Sequence, residues 1–376
     1  MLDIRGHILT PTGFVIGQLS VNEFGRIESL IGQPVSESLV RQSKVPCILP
    51  GFIDLHVHGG GGFDVMQGGE ALSKVSHMHA QYGTTAMLAT TMTAPAVDLE
   101  FAFSATQGAF QATVPSGARV LGVHLEGPFI SEDKLGAQPN FARGIQMAEL
   151  ARLNALTPIR LITLAPEVSG NMALIESLCA AGFKVQIGHT AGTYEEGVQA
   201  LAHGASGFTH LFNAMTGLAH RAPGMVGAAL AHAQHSEIIP DLIHVHPGAI
   251  RVALRAIPGL FCVTDSTSAA GMPDGEYLLG RHKVMKCMGG VRLANGTLAG
   301  STLTMDQALR NLVTQLGLSL QEASARVSSN AAAYLGEEDR GQLKIGAWAD
   351  LVVLDQDLTI QNVYVEGRAI EITHAD

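Results

Sequence analysis

The sequence predicts an α/β fold: a (β/α)8, TIM-like barrel with a small β-sandwich domain built from both chain ends. Three observations carry that expectation. Eight short apolar runs recur along the middle of the chain, and within each run the apolarity is continuous rather than alternating, as in a parallel sheet covered on its outer face. Amphipathic or Ala-rich stretches of helical length separate most of them. Glycine is abundant, 43 of 376 residues, and clusters just after apolar runs, as at 59–62 and 289–290, where strands pass into loops. Eight such units suit a closed barrel better than an open doubly wound sheet. No Gly-x-Gly-x-x-Gly follows the first run, which argues against a dinucleotide-binding fold.

In chain order, the expected strands are 48–57, 84–90, 119–125, 160–165, 184–188, 207–211, 241–245 and 260–264. The expected helices include 69–82, 146–155, 171–182, 193–204, 222–234 and 247–257. The ends read differently. Residues 1–46 hold short polar-punctuated runs, and the tail from 341 continues in hairpin style. The division expected is therefore 1–46 with 341–376 as the small β domain and 47–340 as the barrel.

Composition narrows the function. Lys and Arg number 23 against 33 Asp and Glu, a formal charge of −10, so a nucleic-acid partner is not expected. With 47% hydrophobic residues the chain is no disordered segment. Its four cysteines, Cys47, Cys179, Cys262 and Cys287, are too sparse for a disulfide scaffold. No run of eighteen apolar residues occurs and no signal peptide opens the chain, so neither a membrane partner nor export is expected, and the cytoplasm is the expected location.

Polar, metal-capable residues fall at the carboxyl ends of several expected strands, the face from which active-site groups converge in a barrel. Asp54, His56 and His58 close the first strand, and the i, i+2 spacing lets the two imidazoles share a face. His124 and Glu126 close the third, His189 follows the fifth, His210 ends the sixth and Asp265 ends the eighth. A single strand-end histidine is most often a packing residue. Several arriving at one mouth point to a divalent cation, Zn²⁺ by preference, with Fe²⁺ or Mn²⁺ also fitting nitrogen and oxygen donors. Such an ion lowers the pKa of water and polarises a carbonyl. A carboxylate beside that water, with Asp265 the candidate, can take its proton and pass it to a leaving nitrogen.

The order Pro50-Gly51-Phe52-Ile53-Asp54-Leu55-His56-Val57-His58, His124-Leu125-Glu126-Gly127-Pro128-Phe129, Gly188-His189-Thr190, Thr209-His210-Leu211-Phe212-Asn213-Ala214-Met215, Val263-Thr264-Asp265 and Leu298-Ala299-Gly300-Ser301-Thr302 resembles the amidohydrolase superfamily. Within it the chain is similar to the N-acetylglucosamine-6-phosphate deacetylases. The resemblance implies a barrel of the metal-dependent hydrolase type and deacetylation of an N-acetylhexosamine 6-phosphate, the gluco sugar first and the galacto epimer as the alternative. It implies Glu126, His189 and His210 as the principal metal ligands, His56 and His58 as ligands of a second ion, one or two ions per subunit, and a homodimer. Cyclic amidases of the superfamily place a carboxylated lysine where Glu126 stands, which disfavours that activity. On the substrate side the resemblance implies Asn213, Ala214, His244 and Arg221, the arginine reaching across a dimer interface to phosphate, with Ala137 and Gln138 beside the acetyl group. One departure stands out: family members carry histidine where this chain has Gln138, and an amide cannot become a cation.

Overall fold

The computed structural model describes residues 2–112, 114 and 116–373; the outermost positions of the expected small domain, 1 and 374–376, lie outside the described residues. The chain opens with an antiparallel meander of Leu2–Thr10, Gly13–Val21 and Ile27–Pro34. Cys47–Pro50 adds parallel to the first of these strands, and the tail closes on it with Leu351–Leu354, Ile360–Val365 and Arg368–Ala369. Both ends thus lie in one seven-stranded sheet. Ile8, Leu19, Ile27, Ile48, Leu343 and Leu351 form its buried face, and the buried Arg340 pairs there with Asp350 and Glu366.

The expected strand 48–57 is two strands. Cys47–Pro50 belongs to the end sheet, whereas Phe52–Val57 begins a parallel sheet of its own. The break falls at Gly51, where a Cβ would lie 2.2 Å from Thr85 Oγ1, so only glycine lets the chain step between sheets so close to the second strand.

Phe52–Val57, Thr84–Thr91, Arg119–Glu126, Ile159–Leu164, Lys184–Ile187 and Gly207–Phe208 pair in parallel and in chain order. His235–Ile238 and Gly259–Cys262 form the next parallel pair. Hydrogen bonds carry the ring onward: the Leu211 N–H donates to the Glu237 carbonyl at 3.0 Å, the Asp265 N–H to the His56 carbonyl at 2.9 Å, and the His58 N–H to the Ser266 carbonyl at 2.9 Å. This curled parallel arrangement fits a TIM-like barrel. The first two strands are buried along their whole length, as the continuous apolarity predicts. A helix follows each strand, from Ala71–Gln81 after the first to Met305–Thr314 after the eighth.

The seventh strand is not at 241–245 but at His235–Ile238, and the preceding helix, expected over 222–234, ends at His232. Residues 241–245 cannot pair as a strand for a local reason. Pro240 brings no N–H, and the Asp241 carboxylate accepts from the Ile243 and His244 N–H groups at 2.9 and 2.8 Å, which bends the chain. Downstream of the eighth strand the fold adds a small antiparallel sheet, Gly275–Leu279, His282–Cys287 and Gly290–Arg292, which no periodicity announced. Among the described residues no helix is long and apolar enough to cross a membrane.

Candidate metal centre

The strand ends meet around a cavity of about 340 Å³ lined by His58, Glu126, Gln138, His189, His210 and Asp265, among others. Three of these residues leave their strands in the left-handed region: His189 at φ 46°, His210 at φ 31° and Asp265 at φ 50°. Each such non-glycine conformation costs on the order of 1–3 kcal/mol, and the turn it makes swings the side chain from the wall into the mouth.

The donors form two neighbouring groups. In the first, Glu126 Oε1 lies 3.2 Å from His189 Nε2 and 3.0 Å from His210 Nε2, and the two nitrogens are 3.0 Å apart. In the second, His56 Nε2 and His58 Nε2 are 3.2 Å apart, and each is 3.4 Å from Asp265 Oδ1. Glu126 joins them, since its Oε2 lies 3.0 Å from His58 Nε2.

The proton positions show what such a cluster needs. His189 Nδ1 faces the Lys134 carbonyl at 2.8 Å, and a carbonyl only accepts, so the proton sits on Nδ1 and Nε2 carries a lone pair. His56 Nδ1 faces Glu237 Oε2 at 3.0 Å, so that nitrogen too carries its proton. The Nε2 atoms of the imidazoles converge on carboxylate oxygens inside a buried pocket. Without an ion a proton on Nε2 bridges such a contact, and a divalent cation can take that proton's place. The donors therefore fit a divalent ion in either group.

Electrostatics agree with that reading. Burial alone would raise the Glu126 carboxyl, yet the His56 charge and the His189 and His210 contacts hold it well below the usual carboxylate range. Burial opposes ionisation of Asp265 too, and His56 and His58 bring it down. Burial would lower both imidazoles of the first strand. Glu126, Asp265 and Glu237 lift His56 well above its ordinary value, and bonds to Asp265 and Glu126 carry His58 up to about 9. His124 goes the other way, driven well down by burial and by the His56 charge, while its Nε2 and the Thr163 hydroxyl sit 2.8 Å apart.

The remaining expected residues divide. Ala137, Gln138, Asn213, Ala214 and His244 line the same cavity. His244 sits past the seventh strand, its Nδ1 2.6 Å from Asp241 Oδ2; burial lowers the imidazole, and this contact raises it overall. Arg221 is exposed in the loop before Gly224–His232 and does not line the cavity. The glycine-rich segment after the first strand does not line the cavity; its Gly61 and Gly62 N–H groups donate to the Ala270 and Ser268 carbonyls.

Two residues escaped the sequence reading. Lys134 lines the cavity and is a cation available there. Glu237 is fully buried, accepts from the His210 N–H at 3.2 Å and faces His56. A carboxylate standing between Ser236 and Ile238 was its one signal, and the misplaced seventh strand hid it.

Fold and site together define a class, and the chain belongs to the amidohydrolase family, which matches residues 47–370. It is a metal-dependent hydrolase acting on amides, and membership implies a divalent metal. Among particular relatives, the N-acetylglucosamine-6-phosphate deacetylase of Lysinibacillus sphaericus is 40% identical over 331 residues, covering 85% of this chain and 84% of that one. The N-acetylgalactosamine-6-phosphate deacetylase of Escherichia coli O157:H7 is 39% identical over 370 residues, 96% of this chain and 97% of that one. A solved N-acetyl-D-glucosamine-6-phosphate deacetylase variant from Mycobacterium smegmatis, in complex with N-acetyl-D-glucosamine-6-phosphate, superposes with a TM-score of 0.88 at 32% identity, over 97% of each chain.

Proposed function

We propose that this protein hydrolyses the acetamide of N-acetyl-D-glucosamine 6-phosphate to D-glucosamine 6-phosphate and acetate. The observation that carries the reading is the convergence of Glu126, His189 and His210 beside Asp265 in a cavity of about 340 Å³, large enough for a phosphorylated sugar. The similarity to deacetylases of this substrate supports the same reading.

Glu126, His189 and His210 would hold one divalent ion, and His56, His58 and Asp265 a second, zinc by donor chemistry. Such an ion supplies Lewis acidity toward the acyl oxygen and lowers the pKa of water. Asp265, ionised at neutral pH, accepts the proton of the attacking water as the new C–O bond forms. It then delivers that proton to the sugar nitrogen as the C–N bond breaks, so the amine leaves neutral; the water's second proton stays on the acetic acid formed and passes to solvent or to the amine as acetate is released. Glu237 keeps the His56 proton on Nδ1. Asn213, Ala214 and His244 line the route to the sugar and phosphate, and Arg221 contributes from the second subunit of a homodimer, since it lies outside the cavity of its own chain. A cytoplasmic location and the division into 1–46 with 341–376 and 47–340 complete the proposal; the seven-stranded end sheet supports the union of the two ends, with Cys47–Pro50 joined to it.

The galacto epimer is the second reading, favoured by the extent of similarity to the Escherichia coli relative. Steady-state kcat/KM for both 6-phosphates, on protein of measured metal content, separates the two. The gluco sugar is expected to be preferred. Preference for the galacto sugar moves the assignment to the second reading, and turnover of neither removes both.

A further inference from the structure

Gln138 is buried between two fixed partners. Its Nε2 donates to Glu126 Oε2 at 2.6 Å, and its Oε1 accepts the Thr93 N–H at 2.7 Å. The opposite amide orientation would set oxygen against carboxylate and NH2 against N–H, so the partners fix the orientation. Thr93 stands just past the strand Thr84–Thr91, and the amide is therefore anchored to the barrel wall.

Glu126 directs its oxygens to different places. Oε1 faces His189 and His210, with His56 Nε2 farther off at 3.4 Å, and Oε2 faces His58 alone among the imidazoles. The terminal torsion of a glutamate is broad, so nothing within the side chain keeps Oε2 toward His58. Gln138 supplies the missing constraint and, being neutral, leaves the full carboxylate charge to a cation.

We propose that Gln138 is a positioning residue for Glu126, fixing its carboxylate so that Oε2 is held toward His58 and thereby setting the affinity of the His58 group for a divalent ion. Its bonds run to ligand and wall, and both of its polar atoms are engaged before any acyl group arrives. The inference rests on the metal-centre reading above.

The test is a Zn²⁺ titration of metal-free protein against a competing chromophoric chelator, with circular dichroism and urea unfolding of the metal-free proteins as controls for folding. Wild type is expected to bind two equivalents. Gln138→Met keeps the reach and loses the N–H; it is expected to weaken the weaker equivalent about tenfold or more and keep the tighter one, the usual scale for losing an outer partner of a ligand. Gln138→Ala, which removes volume instead, must shift the same equivalent in the same direction, and Gln138→His, which restores a nitrogen donor, is expected to recover part of the loss. Wild type that binds no zinc would sink the metal-centre reading itself. Two equivalents bound alike by wild type and the Met and Ala variants, with KM alone changed, would overturn the positioning role and return Gln138 to the substrate. A wild type holding a single equivalent overturns it as well.

Discussion

Glu237→Gln isolates the charge of a carboxylate that touches no solvent and no substrate. Glu237 Oε2 takes two contacts, His56 Nδ1 at 3.0 Å and the His210 N–H at 3.2 Å, while Oε1 is buried without a partner. Both neighbours of Oε2 are donors, so glutamine must present its oxygen there, and its NH2 falls where Oε1 was. The His56 tautomer is thereby preserved, and what disappears is charge. A hydrogen bond to a charged group contributes about 1.5–3 kcal/mol and a neutral one about 0.5–1.5, leaving roughly 1–1.5 kcal/mol, or about tenfold in an equilibrium constant.

Two separable outcomes follow from that arithmetic. Zinc affinity of the group containing His56 is expected to fall about tenfold in a chelator-competition titration, because the imidazole loses the anion that makes it a stronger donor. Urea unfolding of the metal-free variant is expected to show a loss on the order of 1–3 kcal/mol, since the new NH2 is buried without an acceptor. A variant that lost stability but bound both zinc equivalents like wild type would refute the reasoning, and would leave Glu237 as a filler of the barrel interior.

Two further outcomes are expected. Asp265→Asn cannot accept a proton from water, so kcat for the preferred sugar phosphate is expected to fall about 10²–10⁴-fold; activity within tenfold of wild type would remove Asp265 from the proton path. His79 is fully buried, its Nε2 3.0 Å from the Gly59 carbonyl, and burial pulls its pKa down to about 4. The folded state then binds fewer protons than the unfolded chain between the ordinary imidazole value of 6.5 and about 4, so this stability is present above pH 6.5 and lost as pH falls. Between pH 7 and 5 the loss comes to about 2 kcal/mol. Urea unfolding at the two pH values checks it against His79→Gln, which has no such proton to gain; equal losses in both proteins would dismiss the effect.

Much of the fold was legible because parallel strands buried on both faces write themselves as continuous apolar runs, which no surface element does. The seventh strand failed that test. Its four residues, His235–Ile238, are mixed in polarity, while the apolar letters at 242–245 belong to a bend that Pro240 and Asp241 enforce. The donors His56, His58, Glu126, His189, His210 and Asp265 were legible by their place after strands. Their convergence at one mouth was legible as well. The backbone turns at His189, His210 and Asp265 were not, because they leave no mark on residue type; left-handed backbone usually advertises itself through glycine or asparagine.

That difference has a physical origin. The residues that would donate directly to a cation here are imidazoles and carboxylates, and such letters stand out in an apolar strand. Residues that orient those donors can be any group able to offer or accept a hydrogen bond, so Glu237, Gln138 and the Thr93 N–H carry no distinctive signature. Their roles reside in distances: 3.0 Å from Glu237 to His56, 2.6 Å from Gln138 to Glu126, 2.7 Å from Thr93 to Gln138. Before a cation arrives, the donors must already stand where it will bind. The backbone turns and these outer partners are what hold them there, and the ends of a largely buried sheet give both a rigid base.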